Sequence, residues 1–357
     1  MKVIFVIVSM AGGGAERVIS ILANRFVKKG IDTTILMTAG DTVAYELDPA
    51  IKLISAGTTS GGSLKKRLER LRNMRKVFKE QRDSVIISFG PGTSFWAVAA
   101  DLFLGHTFLI SERNDPAACP YPVLRNLFYR RAKHLVFQTE DAMNSFPAAL
   151  AKKGSVIPNP VKEGLPDPFY GERDKTVVAV GRLEPQKNHK MLLEAFAQFY
   201  QNNPAYTLHL YGQGALQEEL QKLAVDLQIE QAVVWEGFRK DVLQQIRRAG
   251  IYALSSDYEG ISNALLEAMA IGLPVISTDC PIGGSRMCIR DGENGLLVPC
   301  KDADQFAKAL EKLAADPAYA AQMGKEAAKI RTAYSEEVVT EMWIEQVKNA
   351  CGKNRRA

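Results

Sequence analysis

Ser255-Ser256-Asp257-Tyr258-Glu259-Gly260-Ile261-Ser262-Asn263-Ala264-Leu265-Leu266-Glu267-Ala268-Met269-Ala270, closed by Gly272-Leu273-Pro274, is the stretch on which the reading of this chain turns. An apolar run, Ile251–Ser255, precedes it and another, Pro274–Thr278, follows it, both with strand character. Between them, Ser262 or Asn263 can cap a helix that Gly272 stops. Strand, loop, helix and strand make one βαβ unit, with Glu259 in its loop. Leu265, Leu266, Ala268 and Met269 mark the helix as mostly buried, so a carboxylate at Glu267, just over one turn inside it, needs a partner. One of the two acids can accept from sugar hydroxyls and the other from a ribose diol.

The same rhythm runs outward in both directions. Further strands are expected at Val3–Ser9, Ile31–Met37, Ser84–Ser88, Thr107–Ser111 and Leu135–Gln138, and then at Val177–Val180, Thr207–Tyr211, Ala232–Glu236 and Leu296–Val298. Amphipathic segments separate them, the pattern of a parallel sheet covered on both faces. Pro158-Asn159-Pro160 through Gly171, with Pro166 and Pro168 inside, continues neither a helix nor a central strand. It divides the chain into two α/β domains, 1–165 and 172–335. The segment 336–350 reads as a helix with no strand after it, expected to pack back on the first domain.

A chain of 357 residues is long for one core and suits two. Its 46% hydrophobic and 24% charged residues are an ordinary globular balance, and a net charge of +5 is mild for a nucleic-acid binder. No nucleic-acid partner is expected. Cys119, Cys280, Cys288, Cys300 and Cys351 form no CxxC pair, which argues for neither a disulfide framework nor a zinc site and fits a reducing cytoplasm. Val3 to Met10 lacks the cleavage site of a signal peptide, and no run reaches the ~18 apolar residues of a membrane span.

Two more segments carry chemistry. Ala11-Gly12-Gly13-Gly14-Ala15-Glu16-Arg17 ends the first strand and opens a helix near Ala15, where glycines let backbone amides approach an anion. The same turn also serves plain packing. It is not GxGxxG, because Arg17 stands where the third glycine belongs, and no acid closes the second strand, so an NAD enzyme fits poorly. Gly181-Arg182-Leu183-Glu184-Pro185-Gln186-Lys187-Asn188 follows a strand and leads into a helix. Arg182 offers a planar fork and Lys187 a mobile point charge, a pair suited to a diphosphate. Asp302-Ala303-Asp304 has the spacing of a metal-binding DxD, but it opens a helix and reads as a cap.

These segments together resemble the retaining glycosyltransferases of family 4, with the two-domain GT-B fold. The resemblance covers nearly the whole chain. Its most specific part is the pair Glu259 and Glu267, joined by Gly181, Arg182, Leu183 and Lys187, by the glycine loop 12–17, by Val156-Ile157-Pro158-Asn159-Pro160-Val161 and by Asn294-Gly295-Leu296-Leu297-Val298. It implies two Rossmann-like domains facing a cleft, with the first taking the acceptor and the second the donor. It also implies metal-independent transfer of a hexose or N-acetylhexosamine from a nucleotide diphosphate sugar, UDP favoured, to a glycan or polyprenyl-diphosphate-linked acceptor.

Carried onto this sequence, the catalytic set is Arg182, Lys187 and Glu259. Gly13, Gly14, Gly181, Gly212, Phe238, Arg239, Gly260, Ile261, Ser262, Asn263 and Glu267 bind the donor, the base lying near Tyr211–Gly214 and Gly237–Arg239. No metal or cofactor is implied. Many members carry a histidine after the fifth strand, where this chain reads Ser111-Glu112-Arg113-Asn114-Asp115-Pro116. A catalytic histidine is therefore not carried over, and Glu112, Arg113 and Asn114, with Glu16 and Arg17, are candidates for the acceptor. None of His106, His134, His189 and His209 has a motif behind it.

Leu64 to Arg82 reads as an amphipathic helix, with Leu64, Leu68, Leu71, Met74 and Phe78 on one side and nine cations against Glu69 and Glu80. It is either a solvated outer helix or a contact for an anionic membrane, which would place a cytoplasmic enzyme peripherally on the inner leaflet. Two other classes compete with transfer: a GT-B epimerase, which would interconvert donors without an acceptor, and a binding module that releases no nucleotide.

Overall fold

The computed structural model describes residues 1–57, 63–113 and 115–352. The chain forms two compact units, Met1–Pro160 with Glu336–Ala357, and Val161–Ser335. Residues 161–165, assigned to the first domain by the proline-rich boundary, thus belong to the second unit. The reason is backbone pairing, since Val161 donates its N–H to the carbonyl of Tyr334 at 2.7 Å.

The first unit is built on β1 (Lys2–Ile7), β2 (Asp32–Met37), β3 (Lys52–Ser55), β4 (Ser84–Phe89), β5 (Thr107–Ser111), β6 (His134–Phe137) and β7 (Gly154–Val156). They form one sheet in the order β3-β2-β1-β4-β5-β6-β7. Every pairing in it is parallel. Val3 through Ile7 are all buried, the run a strand needs when helices cover both faces. The strand order reverses between β1 and β4. The helices named here are α1 (Gly14–Lys28), α2 (Ser63–Glu80), α3 (Pro91–Asp101) and α4 (Pro122–Tyr129).

The helix Glu336–Gly352 belongs to this unit too. Trp343 is fully buried and stacks on Phe89 at 5.6 Å, while Arg25 of α1 pairs with Glu336 at 2.9 Å.

The second unit has β8 (Asp174–Val180), β9 (Thr207–Tyr211), β10 (Val233–Gly237), β11 (Ala249–Leu254), β12 (Val275–Thr278) and β13 (Leu296–Val298), in the order β10-β9-β8-β11-β12-β13. This sheet is also parallel throughout, and its order reverses between β8 and β11. Alternate residues of β8 serve its two faces. Val177 and Ala179 pack with the helices His189–Asn202 and Ala303–Ala315, and Val178 packs with the helix Asn263–Ala270.

All eleven strands expected from the sequence are present, with ends no more than three residues from those expected. The two not foreseen, β3 and β7, lie at the two edges of the first sheet. An edge strand is covered on fewer sides and carries no continuous apolar run: Lys52, Leu53 and Ser55 of β3 are exposed.

Candidate functional site

In an open parallel sheet the crevice for a ligand lies beyond the carboxyl ends of the strands, where the strand order reverses. In the second unit that point is flanked by the loop from β8 into the helix His189–Asn202 and the loop from β11 into the helix Asn263–Ala270. The first holds Arg182 and Lys187, and the second holds Glu259.

Lys187 Nζ donates to Glu259 Oε2 at 2.7 Å, and the two side chains are only 12% and 16% exposed. Ser256 Oγ donates to the same carboxylate oxygen at 3.2 Å, and Gln186 Nε2 reaches it at 3.4 Å. The two loops are also tied to each other. Asp257 N donates to Gln186 O at 2.9 Å, Asn188 Nδ2 to Asp257 Oδ1 at 2.8 Å, and Ser255 Oγ to Lys187 O at 2.7 Å. Asn188 adopts φ +43° and caps the following helix by accepting from Met191 N. The result is a cation held ready beside a carboxylate, with ammonium protons to spare for a second acceptor.

Arg182 is different. Its side chain is 68% exposed and pairs with neighbouring Glu184 at 3.0 Å, so it is a surface fork beside the buried pair. Gly181 lies under the stem of Lys187, and Gly212, at φ +143°, packs so close to Gly181 that a Cβ there would run into its carbonyl oxygen. The ends of β8, β9 and β10 are laced by Gly181 N to Tyr211 O at 2.9 Å and Gly212 N to Gly237 O at 2.8 Å. Phe238 and Arg239 stand exposed at this edge, Arg239 beside Glu236 at 3.5 Å.

Ser262 caps the helix Asn263–Ala270 by accepting from Leu265 N, and Glu267 is buried in that helix. Tyr252 lies near both acids: burial first, then the charges of Glu259 and Glu267, push its phenol well above the usual range. Gly260 and Ile261 join the cap to Glu259. A Cβ on Gly284 would run into Gly260 O, so the turn is supported from behind by backbone.

The sequence reading passed over several supporting groups. Thr278 Oγ1 and Cys280 Sγ both donate to Ser256 O, the latter at 2.9 Å, and fix the base of the Glu259 loop. Burial pushes the Cys280 thiol up to about 12, so it stays protonated and able to donate. His189, which no motif singled out, is buried beneath Lys187. Burial, and then the charge of Lys187, pull its imidazole down to about 4, against a backbone hydrogen bond at Gly181. It is neutral at pH 7. Its place directly after the capping Asn188 was the one signal available.

In the first unit, Gly13 is the N-cap of α1; its N–H donates to Tyr45 Oη at 3.0 Å, and that hydroxyl donates back to Gly13 O at 2.8 Å. Gly14, Glu16 and Arg17 form the first turn of α1, with Glu16 folded back against Gly13. These residues belong to a different unit from the other expected donor contacts. Glu112 and Arg113 turn inward. Glu112 accepts from Tyr129 Oη at 2.8 Å, and Arg113 Nη2 donates to Asn159 Oδ1 at 2.8 Å. Burial pulls the Arg113 guanidinium down to about 9, and its Nη1 meets no acceptor among the described residues. Asn114 lies outside the described residues.

Asp302 accepts from Gln305 N at 2.9 Å as a helix cap, and Asp304 Oδ1 accepts from Gln198 Nε2 at 2.9 Å, so both acids of the DxD have structural partners.

Two family models match the chain in succession: Glycosyltransferase Family 4 over residues 12–164 and Glycosyl transferases group 1 over residues 167–330. The chain is a family 4 glycosyltransferase with the GT-B fold. Among relatives of this glycosyltransferase, an undecaprenol-diphosphate glycan α-1,4-N-acetyl-D-galactosaminyltransferase of Campylobacter jejuni is 28% identical over 98% of this chain and 100% of its own. The lipopolysaccharide core biosynthesis glycosyltransferase LpsE of Rhizobium meliloti is 26% identical over 93% and 95%. Of the solved structures, Anabaena HepE in complex with UDP and glucose superposes with a TM-score of 0.82 over 98% of this chain and 100% of that one, at 20% identity.

Proposed function

We propose that this glycosyltransferase moves a hexose or N-acetylhexosamine from a nucleotide diphosphate sugar, UDP favoured, to a glycan or polyprenyl-diphosphate-linked acceptor, retaining anomeric configuration and needing no metal. The observation that carries the reading is the Lys187–Glu259 pair at the strand-order reversal of the second unit, beside the capped helix Asn263–Ala270. As the glycosidic bond breaks, negative charge grows on the leaving diphosphate. A cation already fixed in place stabilises that charge without reorganising. Arg182, exposed beside Glu184, adds the bidentate fork once a phosphate is present. Glu259 grips the transferred sugar and Glu267 the ribose. The acceptor hydroxyl attacks the oxocarbenium-like carbon from the leaving-group face and gives its proton to the departing phosphate.

Support for UDP comes from HepE, solved with UDP-glucose. Support for a lipid-linked acceptor comes from the name of the Campylobacter relative. Acceptor contacts fall to Glu16, Arg17 and Arg113 of the first unit, with Glu112 holding Tyr129. Among the described residues no helix is long and apolar enough to cross a membrane, so a lipid-linked acceptor would be met from the surface, with the basic helix α2 as a contact. The test is nucleotide release across a panel of UDP- and GDP-sugars, with and without a polyprenyl-diphosphate glycan and with chelator present. Acceptor-dependent UDP release is expected. Donor interconversion without acceptor would make the chain an epimerase, and nucleotide affinity without release would make it a binding module.

A further inference from the structure

β12 and β13 run parallel side by side with Thr278 opposite Val298, and Asp279 N continues the pairing by donating to Val298 O at 2.7 Å. Two residues beyond that registered pair, each strand delivers a cysteine, Cys280 and Cys300. Neighbouring strands lie about 4.8 Å apart, inside the ~4.4–6.8 Å Cα separation that a disulfide spans. The side chains converge as well. Cys280 Sγ donates to Ser256 O at 2.9 Å, Cys300 Sγ approaches the same oxygen at 3.7 Å and Asp257 O at 3.8 Å, and the two thiols hydrogen-bond each other.

Ser256 and Asp257 begin the loop that carries Glu259. Ser256 Oγ donates to Glu259 Oε2, and Asp257 ties the loop to Gln186 and Asn188, on either side of Lys187. The thiol pair therefore supports the backbone on which the Lys187–Glu259 contact is built. Hydroxyls would make the same hydrogen bonds more strongly, and what thiols add is the ability to join. Among the described residues no three His, Cys, Asp or Glu side chains are grouped to hold a metal, so the pair does not read as part of a zinc site. Cys280 is fully buried and Cys300 half-buried, which sets a resolving thiol behind one that solvent reaches. Burial raises both thiols, Cys280 to about 12, and the charges of Asp257 and Asp279 add to the rise at Cys300. At neutral pH the pair thus stays reduced until oxidant is sustained, as suits a transient bridge in a reducing compartment.

We propose that Cys280 and Cys300 form a modification site for peroxide, and that closing them into a disulfide takes the S–H donor away from Ser256 O and displaces the Glu259 loop. The Cys300 thiolate attacks hydrogen peroxide and breaks its O–O bond; the sulfur becomes a sulfenic acid, and the hydroxide released takes up the thiol's proton as water. The Cys280 sulfur then attacks the sulfenic sulfur, the S–S bond forms, and the hydroxyl leaves with the Cys280 proton as a second water. Two electrons pass from sulfur to peroxide, and a dithiol reverses the bridge. The effect on turnover rests on the reading of Lys187 and Glu259 as donor contacts, whereas formation of the bridge does not.

The test uses the full chain carrying Cys119→Ser and Cys351→Ser, which removes the other two half-buried thiols. It is treated with hydrogen peroxide at about pH 8.5, where thiolate is more abundant, and digested for peptide mapping. A Cys280–Cys300 cross-linked peptide is expected. UDP release should slow by about 10²-fold, as when a positioned group moves by about 1 Å, and recover with dithiothreitol. Cys300→Ser in the same background should release UDP at the unoxidised rate before and after peroxide. Hydrogen exchange over residues 255–263 should quicken in the bridged protein whether or not the donor has been found, so failure of the donor reading is seen separately from failure of this one. The absence of a Cys280–Cys300 cross-link would overturn the proposal, as would unchanged exchange in the bridged protein. So would unchanged turnover in a bridged chain that is active when reduced, or equal inactivation of Cys300→Ser by peroxide.

Discussion

At the scale of the residue, the ammonium of Lys187 is held by Glu259 before any ligand arrives, and this separates it from Arg182. Lys187→Ala should lower turnover by about 10²–10³, the usual loss for one transition-state donor, measured as UDP release with the fold checked by circular dichroism. Arg182→Ala removes an exposed fork and should fall in the same range with no loss of thermal stability, since its ion pair with Glu184 is on the surface. His189 gives a pH prediction. Its folded-state pKa is pulled down to about 4 from 6.5, so the unfolded chain binds the extra proton first as pH falls. The stability tied to it is complete above pH 6.5 and is lost between there and pH 4, by about 3 kcal/mol. Urea melts of wild type and His189→Gln across that window should converge toward acid, and parallel curves would refute the assignment. Lys187 and Glu259 were each readable from their motifs. Their contact was not, because 72 positions separate them. Glu112 and Arg113 were read as acceptor contacts from their place after a strand, but only packing shows their side chains turned toward Tyr129 and Asn159.

At the scale of the element, the helix Glu336–Gly352 is packed on the first unit by Val339, Val347 and Trp343, whose ring is buried against Phe89. Trp343→Ala should cost about 3–5 kcal/mol in thermal or denaturant unfolding, far more than loss of the exposed pair of Lys29 with Glu337. Gly284→Ala tests the support of the Glu259 turn. Its new Cβ would press on Gly260 O, so turnover should fall through displacement of the loop even though Gly284 touches no substrate in the proposed mechanism. The strands with apolar runs were legible because a central parallel strand must be buried on both faces. β3 and β7 escaped notice because an edge position relaxes that demand.

At the scale of the whole molecule, each unit has its own parallel sheet and its own strand-order reversal, so a nucleotide held by Arg182, Lys187 and Glu267 should stabilise the second unit first. Hydrogen exchange with UDP at about 100 times its Kd should show added protection worth about 2.7 kcal/mol in residues 161–335, concentrated in β8, β11 and the helix Asn263–Ala270. Protection appearing first in β1 and β4 would place the nucleotide in the other unit.

Local chemistry and periodicity by themselves determined the two α/β domains, the eleven strands, a helix start at Ser262 or Asn263, and the reading of Asp302-Ala303-Asp304 as a helix opening. These follow from interactions within a few residues of each other, or from a burial pattern repeated along a strand. Tertiary structure alone decided that Lys187 is held by Glu259 from a distant loop while Arg182 stays on the surface beside Glu184, and that a histidine without a motif is buried next to the paired lysine. Those facts depend on side chains brought together from distant parts of the chain, and their energies arise only once water has been excluded from between them.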